Sequence, residues 1–406
     1  MTGDLLAAAR ALEGDMLDLR RAIHAEPELG LQTPKTSQKA RAAIAGLPLA
    51  FRDGGATTGF VARIDGAKPG RTVLLRADMD ALPLEERTGL PYASTSAGIM
   101  HACGHDAHTA MLVGAAHLLC ERREQLEGSV LLMFQPGEEG YHGARHMLRD
   151  GLIDPLPDAA FALHVMPDVP LGVVRGRAGT LLASADHVRV TVAGQGAHAS
   201  TPHNGIDAVP VACEIAIALQ TLVTRQLDIF DGAVVTVGQI HAGTAYNIVA
   251  EGAVLEISVR ALSPQTRVGI EKAIRRLAQG IATAHGATTE VRYLDGFPAT
   301  RCDPRAVRLG QGVASALFGA AGWSELPQPY MNSEDFSYIL DKVPGAMFML
   351  GAAVDGQLPA SCCALHSGDM LLNEDVMPYG AALHAGLAIA YLSDGFSETA
   401  PPRATE

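Results

Sequence analysis

The chain has 406 residues, of which 48% are hydrophobic and 18% charged, and its 31 Lys and Arg against 44 Asp and Glu give a net charge of −13. This balance is typical of a globular protein with a large core and excludes a disordered, collagenous or coiled-coil chain. At roughly 150 residues per domain, the length predicts two or three domains.

The sequence predicts a cytoplasmic protein with no membrane and no nucleic-acid partner. Its most apolar stretch, residues 208–223, is interrupted by Pro210, Glu214 and Gln220 and falls short of the roughly 18 apolar residues of a membrane span. The amino terminus carries acids and arginines at helical spacing, which is not the layout of a signal peptide. A net acidic surface is poorly suited to nucleic-acid phosphates.

In the first part of the chain, helical patterns alternate with short apolar runs. Apolar residues at helical spacing predict helices over residues 5–23, 35–45 and 106–119. The runs TVLLR, SVLLMF and AAFALHV predict buried strands at residues 72–76, 129–134 and 159–165. This alternation predicts an α/β sheet covered on both faces, whose ligand site lies beyond the carboxyl ends of its strands.

The pattern changes near residue 185. Strands at 187–192, 233–240, 254–259 and 288–293 and helices at 207–223 and 264–285 follow the order β-α-β-β-α-β, which predicts a ferredoxin-like α+β sandwich. After residue 297 the α/β pattern resumes, with a helix at 305–317, a strand at 346–350 and a helix at 379–392. Residues 1–184 and 297–406 are therefore predicted to form one discontinuous domain, into which a domain of residues 185–296 is inserted.

The histidines are clustered: ten of the 15 lie between His101 and His203. Around them, polar groups concentrate at predicted strand ends. The segments are RADMDALP (76–83), HACGHDAH (101–108), FQPGEEG (134–140), LHV (163–165) and, far along the chain, LHS (365–367).

Cys103 and His105 bring a thiol and an imidazole together on a glycine-bearing loop. Both are preferred ligands of zinc and related metals. A thiolate near several carboxylates would have a raised pKa unless a cation is bound there, which favours a metal ligand over a cysteine nucleophile. The alternative is a buried free cysteine beside a helix-capping Asp106.

Glu138 and Glu139 follow a buried strand directly, and neighbouring side chains on extended backbone point in opposite directions. One carboxylate could bind a metal while the other faces a water; alternatively, both are solvated. His164 and His366, taken singly, are equally typical of core histidines. Taken together, these residues supply enough ligands for a two-metal hydrolytic site.

The segments DMDALP, MHACGHDAHT, FQPGEEG, ALHV, GQGAHASTPH and SEDFSY resemble those of a family of metal-dependent amidohydrolases. This family includes hippurate hydrolases, N-acyl-amino-acid amidohydrolases and indole-acetyl-amino-acid hydrolases, within the aminoacylase and dinuclear zinc carboxypeptidase superfamily. The similarity runs in order from about Leu19 to Leu392. It implies a zinc-peptidase-like α/β catalytic domain with an inserted ferredoxin-like lid and dimerisation domain.

The resemblance also implies two divalent metal ions per subunit (Zn, Mn, Co or Ni). Their ligands would be Cys103, His105, Glu139, His164 and His366, with Cys103 bridging. Glu138 would be the general base, taking a proton from the attacking water and later delivering it to the leaving amine, and Asp80 would orient His105. Many superfamily relatives have His-x-Asp where this chain has Asp78-Met79-Asp80, so Asp78 is not counted as a ligand.

The inserted domain would mediate a homodimer, or a tetramer. By resemblance, His198 would reach the site of the partner subunit and stabilise the developing oxyanion. Asn247 and Arg260 resemble positions that hold the substrate carboxylate; the alternatives are a turn amide and a strand-edge surface arginine. The remaining polar residues near the motifs are taken as structural: His101, His108, His142, His146 and Ser333.

This chain departs from the family pattern at Asn332, where the family usually has Gly, and after His366, where it reads Ser-Gly-Asp-Met. These changes leave the acyl-group preference open. The predicted function is metal-dependent hydrolysis of an N-acyl amino acid to a carboxylic acid and a free amino acid. The alternatives are a dipeptidase or carboxypeptidase with the same machinery, a catalytically silent binding protein and a cysteine-nucleophile hydrolase.

Overall fold

The computed structural model describes residues 4–354 and 364–396. The helices are α1 (Leu5–Ala11), α2 (Glu13–His24), α3 (Pro34–Ile44), α4 (His105–Glu121), α5 (Gly143–Arg149), α6 (Ala208–Gln226), α7 (Pro264–Ala284), α8 (Pro304–Phe318), α9 (Ser337–Leu340) and α10 (Val376–Asp394). The strands are β1 (Ala50–Asp53), β2 (Phe60–Asp65), β3 (Lys68–Asp78), β4 (Glu127–Gln135), β5 (Ala159–Met166), β6 (Val174–Gly176), β7 (Gly179–Leu182), β8 (Ser184–Ala193), β9 (Ala197–His198), β10 (Ala233–Ala242), β11 (Ile248–Val249), β12 (Gly252–Ala261), β13 (Thr288–Phe297), β14 (Thr300–Cys302), β15 (Trp323–Glu325) and β16 (Gly345–Gly351).

These elements form two compact units. Unit 1 comprises Met1–Gly179, Arg301–Pro327 and Tyr338–Glu406, and unit 2 comprises Thr180–Thr300 and Gln328–Ser337. Unit 2 thus includes a short segment from far along the chain. Within unit 2, Tyr330 holds this segment in place, because its N–H donates to the carbonyl of Leu181 and its carbonyl accepts from Ala183.

Unit 1 is built on an eight-stranded mixed sheet of order β1-β2-β4-β3-β5-β16-β6-β15. At its centre, β4, β3 and β5 are neighbouring parallel strands, so their carboxyl ends meet at one edge. Most residues of these strands are buried, as expected for parallel strands covered on both faces. The α/β class predicted from the sequence is confirmed.

Helix α4 lies against β3 and α10. It is apolar around almost its whole circumference, and His117 is one of the few residues on it that is not buried. A helix that is hydrophobic on all sides belongs in a core. The first residue of α4, His105, is therefore held by a rigid element.

Unit 2 contains an antiparallel sheet of order β10-β12-β8-β13. With strands taken in chain order this is 2-3-1-4, the arrangement of a ferredoxin-like sandwich. Helices α6 and α7 contact each other, and their apolar faces join the sheet in one hydrophobic cluster. Cys213 on α6 is exposed, because the buried stripe of this helix passes through Ala212 and Ile215.

Two helices, Ala208–Gln226 and Val376–Asp394, are long and apolar enough to cross a membrane by length and composition alone. Both helices contribute to cores in the fold: Val376–Asp394 is buried on nearly all sides, and Ala208–Gln226 presents one buried stripe to the sheet of unit 2.

Candidate metal centre

Five segments that are distant in the sequence bring polar side chains together at the carboxyl edge of the unit 1 sheet. Asp78 ends β3 and Asp80 follows it, Glu138 and Glu139 follow β4, and His164 lies near the end of β5. The start of α4 adds Cys103 and His105, and the loop before α10 adds His366. The edge of the sheet predicted from the sequence to hold the ligand is thus lined with metal-binding residue types.

The five proposed ligands fall into two groups that share Cys103. One group is Cys103, His105 and His164, and the other is Cys103, Glu139 and His366; within each group the candidate ligand atoms lie within 4.8 Å of one another. Cys103 Sγ is 3.3 Å from His164 Nε2, and His366 Nε2 is 3.1 Å from Glu139 Oε1. The five predicted ligands are thus brought together in two groups with Cys103 in common.

Two histidines of this centre are held through one ring nitrogen and turn the other nitrogen towards it. Among the described residues, His105 Nε2 is buried without a hydrogen-bond partner, and His164 Nε2 faces Cys103 Sγ. His105 Nδ1 donates to the carbonyl of Asp80 at 2.8 Å, and His164 Nδ1 donates to the carbonyl of Val165 at 2.7 Å. Both imidazoles are therefore held with Nε2 available, and the residues fit divalent metal ions.

Gly104 makes the Cys103–His105 loop possible. Its φ is +85°, and a Cβ atom there would lie 2.4 Å from Val165 Cγ2. A side chain would therefore be both strained and in steric conflict. Gly104 also caps the amino terminus of α4, so the chain enters the helix directly at His105.

Asp80 holds the two glutamates by their backbone. Its two carboxylate oxygens accept the N–H groups of Glu138 and Glu139, at 2.9 and 3.0 Å. The orientation of His105 comes from the Asp80 carbonyl, since the carboxylate oxygen nearest to His105 Nδ1 is 3.6 Å away. Asp80 thus contacts Glu138 and Glu139 through its carboxylate and His105 through its backbone carbonyl.

Glu138 is 6% exposed and forms a further group with His105 and Glu139 whose ligand atoms lie within 4.8 Å of one another. The preceding Gly137 has a φ of +74°, and a Cβ atom there would come within 2.6 Å of a side-chain carbon of Leu31. The tight turn after β4 therefore depends on glycine. This turn places Glu138 and Glu139 at the centre.

His366 reaches the centre from a loop. Its N–H donates to the carbonyl of Ala102 at 2.8 Å, which fixes the loop beside Cys103. Its φ is +62°, a left-handed conformation that is uncommon for any residue except glycine. Its side chain is 53% exposed, so this side of the centre is open to solvent.

Burial shifts the pKa values of two predicted ligands, Cys103 and His164. Burial, together with the neighbouring Glu139 carboxylate, raises the pKa of the Cys103 thiol. Burial lowers the pKa of His164 to about 3, which keeps this imidazole in the neutral form that binds metals. The raised pKa of Cys103 agrees with the sequence prediction for a thiol that lies near carboxylates without a bound cation.

The remaining predicted site residues, His198, Asn247 and Arg260, lie in unit 2. His198, in β9, is exposed and its Nδ1 accepts the N–H of Ser200 at 3.1 Å. The carbonyl of Asn247 accepts the N–H of Ala199 at 3.1 Å, so the fold brings Asn247 next to the His198 strand. Arg260 is half-buried and donates to Ser333 Oγ at 2.9 Å.

A model of peptidase family M20/M25/M40 matches residues 74–390, which cover most of the chain and all the proposed metal ligands. The chain belongs to this family. As a member of it, the protein is a hydrolase that acts on amide bonds.

This M20 chain is similar to proteins of more than one named activity. Thermostable carboxypeptidase 1 of Saccharolobus solfataricus is 35% identical over 386 residues, covering 94% of this chain and 96% of that protein. N-acetyl-L-cysteine deacetylase of Bacillus subtilis is 37% identical over 348 residues, covering 85% and 82%. The crystal structure of a Bacillus subtilis dinuclear metal binding peptidase of the M20 family matches with a TM-score of 0.81 at 31% identity, covering 95% of this chain and 99% of that one.

Two residues of the M20 chain that sequence reasoning set aside lie at the centre. Asp78, which is not counted as a ligand, and His108, taken as structural, are both buried and form a hydrogen bond of 2.6 Å. The signal in the sequence is a carboxylate that ends an apolar strand and a histidine one helical turn after His105. Neither feature distinguishes such a pair from ordinary core residues without the fold.

Proposed function

We propose that the protein hydrolyses the amide bond of N-acyl amino acids, giving a carboxylic acid and a free amino acid. The main observation in support is the convergence of five predicted ligands on one edge of the sheet, where the buried His105 Nε2 lacks a hydrogen-bond partner within the described part of the chain; they are Cys103, His105, Glu139, His164 and His366. One of its relatives is named N-acetyl-L-cysteine deacetylase, and N-acetyl-L-cysteine is an N-acyl amino acid.

These five residues would hold two divalent ions, which would polarise the scissile carbonyl and lower the pKa of the attacking water. A relative of known structure is described as dinuclear. The protein ligands would be two neutral imidazoles with fixed tautomers, a third imidazole on a loop, one carboxylate and one bridging thiolate. This mixture of ligand types suits zinc, manganese, cobalt or nickel.

Glu138 would act as the general base and then as the general acid. Its carboxylate would take one proton from the attacking water and, after the carbon–nitrogen bond breaks, give that proton to the leaving amine. The backbone N–H groups of Glu138 and Glu139 donate to the Asp80 carboxylate, which would hold the backbone of the base in place during both transfers. An intact base and ligand set argue against a catalytically silent binding protein.

We further propose that unit 2 provides the contact of a homodimer. Phe230 and Tyr246 are 90% and 100% exposed, and β10 lies at one edge of the four-stranded sheet. An unpaired edge strand and exposed aromatic side chains are both typical of association sites. His198 of the partner subunit would then stabilise the oxyanion, while Asn247 and Arg260 would bind the substrate carboxylate.

A carboxypeptidase or dipeptidase remains the second candidate, because a relative with 35% identity is named a carboxypeptidase. Both kinds of substrate present an amide next to a carboxylate, so they differ only in the acyl group. Turnover of N-acetyl, N-benzoyl and indole-acetyl amino acids, compared with dipeptides at equal concentration, separates the two. A kcat/KM that is highest for dipeptides would replace the proposed function with the second candidate.

A further inference from the structure

Asp78 and His108 form a buried pair beside the metal centre. Asp78 ends β3 with an exposure of 0%, and His108 lies in the first turn of α4 with an exposure of 1%. His108 Nδ1 is 2.6 Å from Asp78 Oδ1. Arg76 Nη1 donates to the other oxygen, Oδ2, at 2.5 Å, and Thr109 Oγ1 donates to the Asp78 carbonyl at 2.7 Å. The carboxylate is therefore held rigidly between strand and helix.

The second nitrogen of His108 fixes its tautomer. The N–H of Val165 donates to His108 Nε2 at 2.9 Å, so Nε2 is an acceptor and the ring proton lies on Nδ1. Both ring nitrogens are thus engaged. Although Asp78, His105 and His108 are close enough to form a metal site, His108 has no lone pair left for a metal.

Val165 links His108 to a ligand of the centre. Its N–H is held by His108, and its carbonyl accepts His164 Nδ1 at 2.7 Å. The rings of His108 and His164 also pack edge to face, with centroids 4.8 Å apart. The orientation that points His164 Nε2 at Cys103 therefore depends on a chain of contacts that begins at Asp78.

The Asp78–His108 pair also lies next to His105, the other histidine in the group with Cys103 and His164. Asp78 Oδ2 is 3.7 Å from His105 Nε2, and the rings of His105 and His108 are 5.5 Å apart. Asp78 and His108 therefore lie next to both imidazoles that face Cys103, those of His105 and His164.

We propose that Asp78 and His108 are positioning residues of the metal centre, which fix the tautomer and direction of His164 through Val165 and so set the affinity for the ion held by Cys103, His105 and His164. The proposal rests on the metal-dependent function proposed above. Partners of metal-binding histidines typically change metal affinity or activity by about 10- to 100-fold when they are removed.

The test is the Zn²⁺ affinity of metal-free protein, measured by competition with a chelating indicator dye. His108→Phe removes both hydrogen bonds. It should lower the affinity for one of the two bound ions by about 10- to 100-fold. His108→Gln, whose amide can accept from Val165 and donate to Asp78, should recover most of this loss. The matched control is His117→Phe, on the same helix; His117 bonds only to the carbonyl of Ala43 among the described residues, and its loss should leave both affinities unchanged.

A second variant guards against a folding defect. Asp78→Asn keeps the size of the side chain but turns an NH₂ group towards either Arg76 or His108, and it should lower the affinity for the same ion. Circular dichroism of the metal-free proteins reports whether each variant is folded.

Three outcomes would overturn the inference. If wild-type protein binds two ions and folded His108→Phe and Asp78→Asn bind both as tightly, the pair does not position the centre. If neither variant folds without metal, the pair serves the fold instead. If wild-type protein itself does not bind two ions, the proposed metal centre fails, and the inference fails with it for a distinguishable reason.

Discussion

Cys103 Sγ lies 3.3 Å from His164 Nε2, although the two residues are 61 positions apart in the sequence. The thiol stands at the start of α4 and the imidazole near the end of β5, so their approach depends on the packing of a helix against a parallel sheet. His164 Nδ1 is already bound to a backbone carbonyl. In the proposed metal centre, these two residues would be ligands of the same ion.

Replacing Glu138 by Gln should abolish turnover without loss of metal. The amide keeps the size of the side chain but cannot accept a proton, and removing a general base typically costs about 10²- to 10⁴-fold in rate. The measurement is kcat together with metal content from elemental analysis. Loss of metal from this variant would mean that base and ligand roles are misassigned between Glu138 and Glu139.

Replacing Cys103 by Ala should lower the metal content per subunit, because the bridging ligand of both ions is removed. Cys120→Ala is the matched control, since Cys120 is a buried free cysteine on α4 and should leave the metal content unchanged. If Cys103→Ala retains the metal content of wild-type protein, Cys103 is not a ligand.

Mixed dimers test whether His198 acts in the site of the partner subunit. His198→Ala and Glu138→Ala proteins, each inactive alone, should regain some activity after subunit exchange, because one site of the mixed dimer has both functional groups. Exchange is verified with two differently tagged proteins. Exchange without any recovery would show that His198 acts within its own subunit or has no catalytic role.

How much of this centre the sequence could predict depends on how far apart its parts lie. Cys103 and His105 share one motif, and the carboxyl ends of β3, β4 and β5 were expected to meet because consecutive strands of an α/β sheet are usually neighbours. His366 could be placed only by resemblance, because a lone histidine more than 200 residues away gives no indication of its neighbours. The contact of the Asp80 carboxylate with two backbone N–H groups depends on the fold around β3 and β4 and has no signature in the sequence.

The strands that sequence reasoning missed are short or carry charges. In β2, Arg63 pairs with Asp65 and also donates to Ser129 on β4 at 2.7 Å. Such paired charges interrupt the apolar pattern by which a strand is recognised. Tertiary contacts satisfy these groups, and those contacts are not visible in a local window of sequence.

Stability should fall between about pH 6.5 and pH 9 because of His24. Burial by itself lowers the pKa of His24, but hydrogen bonds to Asp106 and Glu86 outweigh it and raise the pKa to about 9. A group with a higher pKa in the folded state stabilises the fold fully below its unfolded pKa of about 6.5, and this stabilisation is lost as the pH rises through about 9. Urea unfolding of wild-type and His24→Gln proteins across this range measures the difference, which should shrink with pH. A difference that is constant with pH would show that the fold does not raise the pKa of His24.

The most direct test of the central claim is the metal dependence of N-acyl amino acid hydrolysis. Protein stripped with a chelator should lose turnover of N-acetyl, N-benzoyl or indole-acetyl amino acids and regain it when zinc, manganese or cobalt is added back, while Glu138→Gln treated in the same way should stay inactive. Full turnover by protein shown to be free of metal would contradict the account and favour a cysteine nucleophile at Cys103.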